Sequence, residues 1–349
     1  MTDSPILIWG GGAIGGTMAA YWARAGHSVV LVDIVQEHVE ACRTRGLHIF
    51  GPIEEFTVKV PAAVPGELIG QFDRVVLAVK AQATEAAVGA LAPHVAPGGF
   101  VLSAQNGLNE IAIAQSVGAE RTMGCFVNFG SDWHGPGEIL YGNRGAVVVG
   151  EIDNAVRERT RRMHALLAEF EPDAILTDNI WGYLWGKLAY GAMLFATALN
   201  RDSMSENFAD PRRRIVFDTL GREVMAVAAA RGVTPVGFGA FDPRVFLPSA
   251  GADAGRACLD WLADYTSQSA KTHSGIYRDL AVRRRRTEVD PQIGIIAKRG
   301  GEAGIATPAL ARLIELIHDI EDGRRPMAYD TFQALIDTCT SASTARSPS

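Results

Sequence analysis

The sequence predicts an α/β fold in which a doubly wound, mostly parallel sheet is followed by an all-α domain. Short, almost entirely apolar runs alternate with helical segments over the first half of the chain, as is typical of parallel strands buried on both faces. Beyond about residue 178, long helical segments dominate. We therefore predict an N-terminal domain at residues 1–178, a helical domain at residues 179–340 and a disordered tail at residues 341–349.

The elements follow one another in the order that this fold requires. The first apolar run ends in glycines, and a helix and a second strand follow it to complete a β-α-β unit. The predicted strands lie at residues 6–10, 28–33, 74–80, 99–106 and 145–152. The predicted helices lie at residues 14–25, 36–45, 180–199, 212–230, 257–270 and 308–322.

The composition argues against several classes of protein. A net charge of −6 is unlike that of a nucleic-acid-binding protein, which would carry a basic surface. The four cysteines are scattered without a CxxC pair, so we expect unpaired thiols in a reducing cytosol and no metal site. The N-terminal residues MTDSPILIW show no basic region and no cleavage signal, and we expect a cytoplasmic protein.

The segment at residues 180–199 is apolar except for one charged side chain, Lys187. Its length would span a bilayer, but a central lysine costs roughly 2.5–3.5 kcal/mol on insertion scales. We therefore predict a buried helix of a water-soluble protein and no membrane contact. Lys187 then either extends its head group to water, as long side chains often do, or takes part in chemistry.

The loop GGGAIG, directly after the first predicted strand, contains the spacing Gly10-x-Gly12-x-x-Gly15. Because it opens a helix within a β-α-β unit, it predicts a Rossmann-type dinucleotide site rather than a ligand-free turn. The first glycine permits a tight turn, the second lets the backbone approach a pyrophosphate, and the third lets helix and strand pack closely. The N–H groups at the start of the helix, near Ala13 and Ile14, would hold the phosphates.

Asp33 ends the second predicted strand. A carboxylate there accepts hydrogen bonds from the ribose hydroxyls of adenosine and repels a 2′-phosphate. The residues that follow, Ile34, Val35 and Gln36, supply no cation for such a phosphate. The pattern favours NAD over NADP, and the alternative is a surface aspartate that caps the next helix.

Ligands of open parallel sheets lie beyond the carboxyl ends of the strands, and Lys80 and Asn106 occupy that position after two predicted strands. We expect Lys80 to approach the cofactor phosphates or the substrate. Asn106 could donate to a carboxamide or to a catalytic lysine. Each residue taken alone would be an ordinary loop residue, and the preceding glycine motif is what raises the expectation of function.

Reduction of a ketone by a nicotinamide needs a proton donor beside the carbonyl oxygen, because the cofactor supplies only the hydride. Lys187, early in the first helix of the second domain, suits this role. Glu288, in RRRRTEVD, could accept from a substrate hydroxyl or orient Lys187; the alternative is a solvated loop carboxylate. The arginine run at 283–286 is more often a solvated face than a site for an acidic ligand.

The motifs GGGAIGG, VVLAVKA, QNGLNE, WGKLAY and TEVD…GIATP together resemble those of the ketopantoate reductase (2-dehydropantoate 2-reductase) family, over nearly the whole chain. The resemblance implies hydride transfer to a 2-oxo acid to give an (R)-2-hydroxy acid, usually with NADP. It implies that Lys187 is the general acid, that Glu288 contacts the substrate, and that Asn106 and Lys80 lie near the nicotinamide. It also carries the expectation of a homodimer.

The chain departs from the family where the substrate is held. Asparagines of the family are replaced by Gly191 and Phe195, which follow the lysine by one and two helical turns. The family's arginine after the second strand is also missing, in agreement with NAD. We expect a substrate that is bulkier or more apolar than ketopantoate, such as a branched or aromatic 2-oxo acid. Candidate replacements for the carboxylate contact are His273 and Ser274 and, with weaker support, Trp133 and His134.

Three functions are consistent with these patterns. The first is an NAD-dependent reductase of 2-oxo acids or dehydrogenase of 2-hydroxy acids, with a small-molecule substrate and no nucleic-acid partner. The second is a genuine 2-dehydropantoate 2-reductase with an unusual pocket. The third is a non-catalytic NAD-binding redox sensor, which the presence of both Lys187 and Glu288 argues against.

Overall fold

The computed structural model describes residues 4–268 and 271–345. The chain divides into two compact units after Ile180, close to the predicted boundary near residue 178. The strands all lie in the first unit, in the described part of the chain. They are β1 (Ile6–Trp9), β2 (Val29–Val32), β3 (Leu47–Phe50), β4 (Phe56–Val58), β5 (Ala62–Ala63), β6 (Phe72–Leu77), β7 (Val95–Ser103), β8 (Thr122–Val127), β9 (Gly130–Gly135), β10 (Glu138–Asn143), β11 (Val147–Glu151) and β12 (Ile175–Leu176).

One sheet of eight strands, in the order β12-β11-β8-β7-β6-β1-β2-β5, forms the centre of the first unit. The strands pair in parallel apart from β11, which runs antiparallel to β8. Apolar clusters cover both faces of this sheet, which explains why its central strands read as unbroken apolar runs. The fold class predicted from the sequence, a Rossmann-type sheet followed by a helical region, is confirmed by the structure.

The helices of the first unit connect these strands. Helix α1 follows the first strand and ends just before Gly26, which adopts the left-handed conformation (φ +95°) that terminates many helices. The helices are α1 (Ala13–Arg24), α2 (Gln36–Thr44), α3 (Thr84–Leu91), α4 (Glu110–Val117) and α5 (Glu158–Ala168).

A second sheet, of four strands in the order β4-β3-β10-β9, was not predicted. Its strands are short: β3 and β10 alternate between buried and half-exposed residues, and β4 and β9 contain no buried residue, so none of them gives a continuous apolar run. This sheet covers helix α1: a Cβ on Gly16 would lie 2.3 Å from Cδ1 of Ile139 in β10. The same Cβ would lie 2.8 Å from the carbonyl oxygen of Gly11, so the backbone of the loop as well as this sheet leaves no room for a side chain at position 16.

The second unit is helical in its described residues. Two stretches, Arg278–Val282 and Asp290–Gly294, are π-helical, which is a rare conformation that frequently occurs at functional sites. The α-helices are α6 (Ile180–Thr197), α7 (Met204–Ala209), α8 (Arg214–Ala230), α9 (Arg256–Ser267), α10 (Gly275–Tyr277), α11 (Ile295–Glu302), α12 (Pro308–Glu321) and α13 (Tyr329–Ala345).

The second unit differs from the prediction at two places. Helix α13 continues to Ala345, so residues 341–345 of the segment that we predicted to be disordered are helical, and residues 346–349 lie outside the described residues. Helix α9 ends at Ser267, and the last two residues of the predicted helix at 257–270 also lie outside the described part. None of the helices that the structure describes has the length and apolar character needed to cross a bilayer.

Candidate functional site

The glycine loop between β1 and α1 is packed so tightly that its first and third glycines accept no side chain. Gly10 has φ +107°, and a Cβ on it would lie 2.8 Å from the backbone of Ala78 and Val79. A Cβ on Gly15 would lie 2.1 Å from the carbonyl oxygen of Gly10. These contacts hold the start of α1 against the carboxyl ends of β1 and β6.

Gly12 differs from its neighbours, since a Cβ there would meet no atom of the described residues within 4 Å. It precedes Ala13 and Ile14 at the start of α1, where no side chain of the described residues caps the helix and the first turn holds no acidic residue. The free N–H groups and the helix dipole favour an anion at this end. The loop therefore fits a dinucleotide pyrophosphate, with room for the backbone approach at Gly12.

Asp33, directly after β2, lies beside this loop. One carboxylate oxygen accepts from the N–H of Gly11 (2.7 Å) and the other from the N–H of Val35 (2.9 Å). The two bonds fix the carboxylate at the edge of the sheet, and each oxygen keeps a lone pair for a further donor. Ile34 beside it is 82% exposed, and no cation follows Asp33 directly in sequence.

His38, which the sequence analysis did not single out, lies beneath the loop. Its Nδ1 accepts from the N–H of Gly137 (3.0 Å) and faces Nε1–H of Trp133 at 3.3 Å. Burial lowers the pKa of this histidine, against the opposing effect of the Asp33 charge, so the neutral ring is the form that can accept. A Cβ on Gly11 would lie 2.9 Å from its Nε2 and 2.7 Å from Cδ2 of Leu31, so a side chain there would have to displace both of these side chains.

Lys80 and Asn106 are exposed residues in the loops that follow β6 and β7, strands that are parallel neighbours in the sheet. The structure brings these two loops and the glycine loop to one edge of the first unit. Gln105 joins the two loops, because its amide nitrogen donates to the carbonyl of Val79 (2.9 Å) and to the hydroxyl of Thr84 (2.8 Å). A buried side-chain network thus holds the two loops together.

Asn109 extends this network. Its side chain accepts from the Thr84 hydroxyl (3.0 Å) and donates to the backbone carbonyl of Asn106 (2.8 Å). The polar run SAQNGLNE, at the end of an apolar strand, is the sequence signal from which this network could have been anticipated. Of the residues in this run, only Asn106 was predicted to belong to the site.

Glu110, at the start of α4, is a buried carboxyl group with unusual surroundings. It is fully buried, and neither carboxyl oxygen has a well-formed hydrogen bond among the described residues. Burial raises its pKa from 4.5 to about 7, and its own backbone N–H and the nearby Ser103 hydroxyl only partly oppose this effect. The burial therefore favours the neutral acid at this position.

We predict that Glu110→Gln is more stable than the parent protein above pH 7. The folded state binds the proton more tightly than the unfolded state, so the parent loses stability as the pH rises from about 4.5 to about 7. A shift of this size corresponds to about 3 kcal/mol. Denaturant unfolding at a series of pH values should show equal stability near pH 4 and a growing advantage of the variant up to pH 8.

Glu85→Gln provides the control for this experiment, because Glu85 on α3 is an exposed carboxylate. Its stability difference from the parent should be small at every pH. A Glu110→Gln effect that does not change with pH would mean that Glu110 stays charged in the folded protein.

Lys187, Gly191 and Phe195 occupy successive turns of α6 in the second unit. Lys187 is half-buried. The position of a Cβ on Gly191 has a single neighbour within 4 Å in the described residues, Oε1 of Gln292 at 3.9 Å. Phe195 differs from our expectation, since only 1% of it is exposed. Its ring packs in the core of the second unit and cannot line open space.

Glu288 is buried and lies two residues before the π-helical stretch Asp290–Gly294. The N–H of Gln292 donates to its backbone carbonyl (3.1 Å). Because the side chain of Gln292 also faces Gly191, the stretch Asp290–Gly294 lies against the face of α6 that carries Gly191. Gln292 is a residue that the sequence analysis missed, since its role depends on a contact between distant parts of the chain.

The arginine run before Glu288 is largely engaged in ion pairs within the second unit. Asp279 pairs with Arg283 (3.3 Å) and Arg285 (2.9 Å). Arg286 pairs with Glu321 (3.0 Å) and Asp322 (2.6 Å). These pairs tie the segment to neighbouring helices, in keeping with a structural face more than with an anion-binding site.

The remaining candidates have local roles in the structure. The hydroxyl of Ser274 is buried and accepts from the N–H of Tyr277 (3.2 Å), so it caps α10. His273 contacts the Thr272 hydroxyl (2.9 Å), and its ring packs at a tilt against the ring of Tyr277, with the ring centres 4.1 Å apart. Trp133 and His134 lie in β9 of the first unit. In the described part of the chain, no cluster of three or more His, Cys, Asp or Glu side chains is arranged to hold a metal ion.

Comparison with known proteins relates both units to one family. Residues 6–154 match the family described as Ketopantoate reductase PanE/ApbA, and residues 179–321 match its C-terminal part. A 2-dehydropantoate 2-reductase of Mesorhizobium japonicum is 29% identical over 258 residues, which cover 66% of this chain and 78% of that protein. One of Archaeoglobus fulgidus is 27% identical over 320 residues, covering 91% and 98%.

Solved structures share the fold over nearly the whole chain. A PanE/ApbA family ketopantoate reductase from Ralstonia eutropha superposes with a TM-score of 0.76 at 27% identity, covering 92% of this chain and 99% of that one. A D-mandelate dehydrogenase in a ternary structure with NADH and anilino(oxo)acetate superposes with a TM-score of 0.79 at 24% identity, covering 91% and 99%.

Proposed function

We propose that this chain, which belongs to the ketopantoate reductase family, reduces a 2-oxo acid to the (R)-2-hydroxy acid with NADH. The family consists of nicotinamide-dependent oxidoreductases that act on 2-oxo and 2-hydroxy acids. Within that class, we propose a substrate that is bulkier or more apolar than ketopantoate. We also propose that residues 1–178 bind the cofactor and that residues 179–340 bind the substrate.

The preference for NADH rests on Asp33. Its carboxylate is held by the N–H groups of Gly11 and Val35, so it cannot easily turn away from a ligand at the sheet edge. A ribose with two free hydroxyls can donate to it, whereas a 2′-phosphate would be repelled and would find no cation in the residues directly after Asp33.

The chemical step that we propose assigns each residue a separate task. The cofactor supplies the hydride when bound. The N–H groups at the start of α1 hold the pyrophosphate beside Gly12, and Lys80 and Asn106 orient the cofactor. Lys187 donates the proton to the carbonyl oxygen in reduction and removes it in the reverse direction. Glu288 accepts from the substrate hydroxyl.

The open position at Gly191 is the observation that carries the proposal for the substrate. With only Gln292 near it in the described residues, this turn of α6 leaves room that a longer side chain would fill. A branched or aromatic 2-oxo acid uses such room better than a compact one. Phe195 does not line this space, because its ring is buried.

A genuine 2-dehydropantoate 2-reductase is the second candidate, because curated relatives with 24–29% identity carry that name. The two candidates predict different orders of activity. Ketopantoate should be the best substrate under the second, and a branched or aromatic 2-oxo acid under the first.

A panel of substrates with both cofactors tests the proposal. We expect NADH oxidation to be fastest with 4-methyl-2-oxopentanoate or phenylglyoxylate, and slower with ketopantoate and pyruvate. We expect kcat/KM to be at least about tenfold lower with NADPH, as repulsion between like charges at Asp33 requires. Preference for NADPH would refute the Asp33 argument, and preference for ketopantoate would favour the second candidate.

A further inference from the structure

The space beside Gly191 has one polar neighbour in the described structure. A Cβ built on Gly191 lies 3.9 Å from Oε1 of Gln292, which is ordinary contact distance. Gln292 is half-buried, whereas the next residue, Ile293, is fully buried. The backbone thus directs the isoleucine into the core and leaves the amide of Gln292 facing the empty turn of α6.

Two further features make Gln292 suitable for binding a ligand. The backbone N–H of Gln292 donates to the backbone carbonyl of Glu288 (3.1 Å), so the side-chain amide of Gln292 and the carboxylate of Glu288 belong to the same helical turn. Gly191 follows Lys187 by four residues on α6, and residues at that spacing lie on one face of a helix. Gln292 therefore lies against the face of α6 that carries Lys187 and Gly191.

Three arginines of the run that precedes Glu288 form ion pairs within the second unit, whereas Gln292 carries an uncharged amide. Arg283 and Arg285 pair with Asp279, and Arg286 pairs with Glu321 and Asp322. An amide offers two N–H donors without a net charge. It can hold a carboxylate while leaving the adjacent space suitable for an apolar group.

We propose that Gln292 is a substrate-specificity residue whose amide donates to the carboxylate of the 2-oxo acid, while the missing side chain at Gly191 accommodates the substrate beside it. This inference rests on the proposed function and adds a residue to it. It predicts that the two positions act together: the amide at 292 binds the acid group, and the glycine at 191 determines how large a molecule fits.

The first test is binding without turnover. The oxidised cofactor NAD⁺ and a 2-oxo acid cannot react, so titration calorimetry of this mixed complex measures substrate affinity alone. Gln292→Leu, which keeps the size and removes the donors, should raise the Kd of phenylglyoxylate roughly 10- to 100-fold, as for a lost hydrogen bond to a charged group. Gln292→Glu should bind more weakly still, and the Kd of NAD⁺ should stay the same in both.

Gln333→Leu is the matched control. Gln333 is a half-buried glutamine on α13 of the same unit, and its amide donates to Asp337 (2.8 Å). This variant should leave the Kd of phenylglyoxylate within twofold of the parent. An unchanged Kd in Gln292→Leu would overturn the inference for Gln292.

Gly191→Asn is the second variant, because an asparagine would fill the empty space and place its own amide against Gln292. We expect it to weaken binding of phenylglyoxylate at least tenfold more than binding of pyruvate. Equal effects on both acids would contradict the assignment of this space to the substrate. If the parent protein binds these acids but does not reduce them with NADH, the proposed reaction is wrong. The role of Gln292 is then still decided by the Kd values of the variants.

Discussion

Lys187→Ala should lower kcat for reduction of a 2-oxo acid roughly 10²- to 10⁴-fold, the usual contribution of a positioned general acid. The dissociation constant of NADH should stay close to that of the parent, because the glycine loop and Asp33 that we assign to the cofactor lie in the other unit. The effect should therefore fall on kcat and kcat/KM together, as for an interaction made only in the transition state. Stopped-flow measurement of NADH oxidation, with a fluorescence titration of NADH, separates the two quantities.

Lys187→Arg makes the test sharper. A guanidinium keeps the positive charge but cannot release its proton near neutral pH, so activity should remain low. Lys298→Ala is the control, since Lys298 is an exposed lysine on α11 of the same unit. Retained turnover in Lys187→Ala would show that another group supplies the proton.

The second large effect concerns two glycines of one loop, for which we expect opposite results. Gly12→Ala should leave stability unchanged, because its Cβ would meet no atom of the described residues within 4 Å. It should nevertheless weaken NADH binding roughly 10- to 100-fold, since an extra methyl group at a close contact costs about 1–3 kcal/mol. Gly15→Ala should instead destabilise the folded protein, because its Cβ would lie 2.1 Å from the carbonyl oxygen of Gly10.

Each variant is the control for the other, because one is expected to change cofactor binding and the other to change stability. Thermal unfolding without cofactor reports the packing effect, and NADH titration reports the binding effect. If Gly12→Ala bound NADH as tightly as the parent, the pyrophosphate would not approach the backbone at this glycine. If Gly15→Ala were as stable as Gly12→Ala, the close contact within the loop would be relieved by a small shift of α1.

The sequence predicts those parts of the fold in which the local pattern of apolar residues matches the burial of the strand. Strands β1 and β2, and the second half of β6, are continuous apolar runs because both faces of the sheet are covered. The four-stranded sheet was missed because two of its short strands alternate in burial and the other two contain no buried residue. The antiparallel pairing of β11 with β8 could not be read from sequence either, since strand direction depends on which neighbour a strand meets.

The same distinction applies to the candidate site. Gly10, Gly12 and Gly15 were predictable because their requirements are local: a turn, an open approach and a close contact. His38 and Gln292 were not, because each depends on a contact with a residue far away in the chain. Glu110 is a further case, since nothing in its sequence environment distinguishes a buried carboxyl group from an exposed one at the start of a helix.

The hydrogen bonds of the Gln105 amide restrict how the loops after β6 and β7 can move. It is bonded at once to the carbonyl of Val79 and the hydroxyl of Thr84, so the loops after β6 and β7 are clamped to each other. Neither loop can swing outward without breaking buried hydrogen bonds of the other. Lys80 and Asn106 should therefore advance and retreat as one rigid pair, and a ligand that draws in one of them should draw in both.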